Sequence, residues 1–140
     1  GARGGRPVNP DDQTTVRYRL DRAAEALAEA QLLLAHGHTR TAMNRLYFAC
    51  FYAVSALLLT EGHSAPKHSG IRALFDQHWI KTGRLPRESG KLFRRLFEER
   101  QRSDYMDLAA YTPAEVAALM EQVPPFIDSI RQIVNAATGD

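Results

Sequence analysis

Cysteine is nearly absent: Cys50 is the only one in 140 residues. That excludes a disulfide framework and a Cys-rich zinc site. Cys50 stands in an apolar run, where a thiol packs as a small inert hydrophobe. Alternating apolar and polar residues bounded by turn signals are also missing, so nothing predicts a strand. No apolar run reaches the ~20 residues a bilayer-spanning helix needs. The longest, Leu46 to Leu59, holds 14 residues with Ser55 the only polar one. Asn44 and Arg45 abut it, and no membrane association is expected. The chain does not open on a basic, apolar, small-residue export pattern, so a cytoplasmic location is expected. There is no phosphate-cradling glycine loop and no Gly-x-Ser-x-Gly elbow. The five histidines form no His-Glu-x-x-His pattern and have no Cys partner, so no metal and no cofactor are expected.

What remains is ordinary globular material. Hydrophobic residues make up 44% and charged residues 24%, close to the average for a folded domain and against wholesale disorder. A chain of this length makes one domain with a real core. The glycine- and proline-rich start predicts a flexible tail over residues 1–12, leaving a helical domain over 13–137. Every apolar pattern repeats at three or four. Val16, Leu20, Ala23, Leu27, Ala30 and Leu34 mark a first amphipathic helix, ended near Gly37. A second helix, apolar nearly all round from Leu46 to Leu59, belongs at the centre. After the loop from His63 to Gly70, Ile71, Leu74, Phe75 and His78 mark a shorter third helix that Gly83 stops. Leu92, Phe93, Leu96 and Phe97 give a fourth. Thr112-Pro113-Ala114-Glu115 is a capping box with proline at the first helical position, and it opens a fifth. Pro124-Pro125 should kink or break that last helix, with Phe126, Ile127, Ile130 and Val134 carrying a further piece. The expected fold is all-α, an antiparallel up-down bundle of about five helices.

The net charge of +2 is too small to mark a nucleic-acid binder by itself, but its distribution is lopsided. Residues 84–102 carry a balance of +4 and residues 104–140 one of −5. Two arginines stand on core-facing lines. Along the fourth helix, Phe93 and Phe97 lead by helical steps to Arg100 and Asp104. On the second, Arg45 leads to Phe48, Ala49 and Tyr52, with Asn44 beside it. Charged groups on a buried line need a partner or a ligand. Two guanidinium forks aimed inward suit a shared anionic ligand such as phosphate. The alternative is that Arg45 pairs with Asp104 or Glu98, and Arg100 with Asp104, and that these pairs only fix helix packing.

The strings Ala42-Met-Asn44-Arg45-Leu-Tyr47-Phe-Ala-Cys-Phe-Tyr52, Lys67-His68-Ser-Gly70 and Arg100-Gln-Arg-Ser-Asp104-Tyr105 together resemble HEPN-domain proteins of prokaryotes. The likeness is to their small stand-alone branch and covers about residues 15–137. It implies a helical bundle that commonly forms a homodimer and places polar residues of the second and fourth helices in a cleft. Many members of that family are metal-independent ribonucleases, several are toxins, and some work beside a minimal nucleotidyltransferase. Its nuclease members carry an arginine followed four to six residues later by a histidine. The arginine holds phosphate and the histidine assists attack by the 2′-hydroxyl. Arg100 matches the arginine. Positions four to six beyond it are Asp104, Tyr105 and Met106, so the histidine is missing from that helix. A carboxylate beside an arginine is a weaker base near neutral pH.

His68 matches a histidine recurrent in this branch and offers an imidazole from the loop before the third helix; a loop histidine bonding backbone is the alternative. Tyr105 is the candidate for a nucleotide acceptor in a nucleotidyltransferase pairing. Tyr47, Phe48, Phe51 and Tyr52 could stack bases, or serve as core or dimer contacts. Three readings follow. The first is a module that binds nucleotide or RNA through Asn44, Arg45, Arg100 and Asp104, acting with a partner such as a nucleotidyltransferase. The second is a ribonuclease toxin using His68 or Asp104 as a substitute base. The third is a purely structural dimerisation module.

Overall fold

Asn9 starts the first helix: its side chain accepts the Asp12 amide at 2.9 Å, and Pro10 occupies the first helical position. In this computed structural model of the protein, residues 8–105 and 111–139 are described, the side chains of 103–105 excepted. The elements are α1 (Pro10–Ala35), α2 (Thr39–Leu59), α3 (His68–Phe75), a π-helical turn (Asp76–Ile80), α4 (Arg87–Tyr105) and α5 (Pro113–Thr138). Among the described residues the fold is all-α, as the periodicity requires. α1 begins within the stretch expected as tail, because Asn9, Pro10 and the first-turn Asp11 and Asp12 together favour a helix start there.

Helix α2 is the hub. It packs against α1, α4 and α5, and α3 lies across it next to α4. Its buried residues point in every direction around the axis, from Ala42 and Leu46 to Val54 and Leu58. By length and composition α2 could cross a membrane, but here its apolar surface is covered by the other helices. α1 contributes small residues, Ala23, Ala26 and Ala30, which let the two long helices approach closely. Phe75, Phe93, Leu96, Phe126, Ile127 and Ile130 complete the core.

Two junctions differ from the sequence expectation. α5 runs unbroken through Pro124 and Pro125. Each proline removes one amide donor, yet Val123, Phe126, Ile127 and Ile130 are buried on both sides of the pair, and packing holds the axis together. The third helix ends earlier than expected. After Phe75 the chain widens into a π turn that buries Trp79, before Gly83 (φ +77°) reverses direction. Gly90 lets α4 start against that turn, since a Cβ there would stand 3.1 Å from two Ile80 carbons. The expected capping box is present: Glu115 donates its amide to Thr112 Oγ1 at 3.1 Å, and Thr112 donates to Glu115 Oε1 at 3.0 Å. These bonds hold the Glu115 carboxyl below its ordinary value.

Candidate functional site

His68 is the first residue of α3, and its placement depends on a tight loop. Ala65 folds back so closely that a Cβ on Gly70 would stand 2.8 Å from Ala65 Cβ. Glycine is required there by space, not by backbone angle. The approach delivers the imidazole to two other helices. Its Nδ1 lies 2.8 Å from the Tyr47 hydroxyl on α2 and 3.2 Å from Arg100 Nη1 on α4. The ring stacks on Phe51, centroids 4.1 Å apart, and meets Phe48 edge-on.

The protonation state follows from the partners. A guanidinium can only donate, so Nδ1 carries the lone pair and the proton sits on Nε2. Burial first, then the Arg100 charge, holds His68 below its ordinary pKa, which favours this neutral form. Tyr47 is fully buried, and burial pushes its hydroxyl up to about 12 against the opposing pull of Arg100. It therefore stays a proton donor.

Arg100 lies over two rings, its guanidinium carbon 5.2 Å from the Tyr47 centroid and 5.1 Å from that of Phe48. Arg45 approaches the same Phe48 ring at 5.4 Å. The two arginines singled out from periodicity thus share one aromatic ring between them. Arg45 also holds Glu29 of α1, Nε to Oε1 at 3.0 Å, a partner that periodicity did not suggest. Asn44 is half-buried on the same stretch of α2. The side chains of Asp104 and Tyr105 lie outside the described residues, so their expected roles gain no geometry here.

The sequence offered Tyr47 and Phe51, like Phe48 and Tyr52, as base-stacking, core or dimer residues, and pointed to no contact of either with His68. A signal for Tyr47 existed: it stands three residues after Asn44, on the same side of α2. The other histidines lie elsewhere. His63 and His78 stack on each other at 4.1 Å, and among the described residues no cluster could hold a metal ion.

This geometry gathers the chemistry an anion site requires. It offers a fixed positive charge, a ring N–H donor and apolar ring faces, in a partly buried setting where charge-assisted hydrogen bonds are strong. The similarities to other proteins agree with the fold. A protein of Thermotoga maritima named UPF0332 protein is 38% identical over 124 residues, covering 89% of this chain and 94% of its own. A Methanocaldococcus jannaschii protein named "Putative toxin MJ0605" is 26% identical over 125 residues, covering 89% and 92%. Another from that organism, "Putative toxin MJ0142", is 33% identical over 86 residues, covering 61% and 58%. The HEPN domain model matches residues 16–133, and the chain belongs to the HEPN family.

Proposed function

We propose that His68 and Arg100, with Arg45 and Asn44 alongside, bind the phosphate of an RNA or nucleotide in a toxin-type HEPN protein. In this reading the protein acts as a homodimer, with a partner protein such as a minimal nucleotidyltransferase. The observation that carries it is the 3.2 Å contact of Arg100 with His68 beside the Phe48 and Phe51 rings. Arg100 supplies charge, the Nε2–H of His68 donates to a phosphate oxygen, and a base can stack on exposed ring surface. The toxin names of the two archaeal relatives support the same class.

A second reading, metal-independent RNA cleavage, is favoured by one observation. A histidine does reach the arginine, from α3 instead of from α4. Its orientation limits its part: with the lone pair of Nδ1 engaged by Tyr47 and Arg100, Nε2 offers a proton and cannot take one. Being neutral, His68 would serve as a hydrogen-bond donor to phosphate, neither as the general acid nor as the base that activates the 2′-hydroxyl.

The test is fluorescence anisotropy of labelled single-stranded RNA with the full chain at two salt concentrations. Binding that weakens with salt, and weakens about tenfold or more in Arg100→Gln, is expected from loss of one charge-assisted contact. Unchanged affinity in Arg100→Gln would overturn the assignment. RNA cut by wild type in EDTA, and left intact by His68→Ala, would establish the second reading.

A further inference from the structure

The seam between α3 and α4 continues past His68 and Arg100. On α3 and the π turn that continues it, His68, Arg72 and Asp76 follow at one-turn steps; on α4, Arg100, Phe97 and Arg94 do the same in the opposite direction. The rows meet in register. His68 faces Arg100, the Arg72 guanidinium carbon lies 5.0 Å from the Phe97 centroid, and Asp76 faces Arg94.

The charges along this seam do not balance. Asp76 Oδ2 lies 3.9 Å from Arg72 Nη1 and 3.7 Å from Arg94 Nη2, too far for a hydrogen bond to either. One carboxylate oxygen is shared loosely by two guanidinium groups. Arg72 is half-buried, and its Nε is fully enclosed with no hydrogen-bond partner among the described residues. The enclosed Nε cannot meet a ligand, but the partly exposed Nη end, held over a ring and poorly matched to its carboxylate, is arranged to bind an oxyanion.

We infer that Arg72 forms a second phosphate subsite one helical turn along the α3–α4 seam from His68, with Arg94 flanking it from the rung beyond. The turn rises about 5.4 Å, so the two subsites address neighbouring phosphates of one strand. The ligand class is then an oligonucleotide bearing at least two phosphates, not a mononucleotide. This rests on the phosphate-binding reading of the His68–Arg100 site.

The experiment compares three ligands by calorimetry with the full chain: UpU, which has one phosphate, and pUpU and UpUp, which have two. Wild type is expected to bind at least one of the two-phosphate ligands about tenfold more tightly than UpU. Arg72→Gln should lose that gain while binding UpU as wild type does, and Arg72→Lys should retain part of it. Asp76→Asn removes the competing carboxylate and should tighten the two-phosphate ligand severalfold without altering UpU. A gain that survives intact in Arg72→Gln, or no gain in wild type, overturns the second subsite and leaves the first. No binding of any of the three ligands overturns both. Circular dichroism melts of each variant separate lost binding from lost fold, and the opposite sign expected for Asp76→Asn cannot arise from unfolding.

Discussion

Replacing Gly70 with alanine sets two effects of opposite sign against each other. Gly70 lies in the first turn of α3 with ordinary helical geometry, so helix propensity alone predicts a gain of up to about 1 kcal/mol. The added Cβ, however, would stand 2.8 Å from Ala65 Cβ, against a contact optimum of about 3.5–4.0 Å. The two carbons must separate by about 1 Å. Ala65 Cβ is fixed to its backbone and has no rotamer to yield, so the loop itself must move. Overpacking of this kind costs about 1–3 kcal/mol, and the net expectation is a loss of about 1 kcal/mol by urea denaturation. The loop carries His68, so RNA affinity should fall with stability. Adding Ala65→Gly removes the opposing carbon, and the double variant should recover both, with a favourable coupling of about 1–2 kcal/mol. A Gly70→Ala protein more stable than wild type, with RNA affinity unchanged, would refute the steric account of how His68 is placed.

Other expectations are simpler. His68 is held below its ordinary pKa of 6.5 in the folded chain, so the unfolded chain takes up its proton first as pH falls. This contribution to stability is full above 6.5 and declines on acidification until the folded-state pKa is passed. Arg100→Leu removes one of its two causes, so the His68 ring signals in NMR should titrate at higher pH and the acid-side decline should shrink. Thr112→Ala removes the cap of α5 and should cost about 1 kcal/mol by thermal or urea unfolding. The same change should let the Glu115 carboxyl titrate nearer its ordinary range. Pro125→Ala restores an amide donor at an exposed position in the middle of α5 and should stabilise by about 1–2 kcal/mol.

Helix periodicity carried most of the architecture. The stripe from Val16 to Ala30, the all-round apolar character of Leu46 to Leu59 and the Thr112–Glu115 box each depend on neighbours a few residues apart, and such local patterns are visible in sequence. What failed was also physical. Pro124 and Pro125 predict a break from backbone donors alone, but Val123 on one side and Ile127 on the other are both buried, and tertiary packing outweighs two lost bonds. The inward direction of Arg45 and Arg100 was legible because a charge on a core-facing line is anomalous. Their partners were not legible. Glu29 is one of several exposed acids on α1 with nothing local to distinguish it, and the Tyr47 hydroxyl looks in sequence like any core aromatic. Only the closure of a non-local loop brings His68 to either.

That closure bears on how the site works. In the nuclease motif that the family resemblance supplies, arginine and histidine share one helix, and helix geometry alone fixes their spacing. Here Arg100 comes from α4, His68 from α3 and Tyr47 from α2. Their mutual distances depend on the tertiary contact between Ala65 and Gly70 and on the stacking of His68 over Phe51. Helix α3 also carries Ile71 and Phe75 into the core, so displacing it disturbs core packing as well as the site. The same dependence fixes the chemistry: Tyr47 and Arg100 both donate to Nδ1, so His68 presents a proton on Nε2. Any partner that shifts α3 would free Nδ1 and end that constraint. The position of α3 thus decides whether Nδ1 is held by Tyr47 and Arg100 or left free.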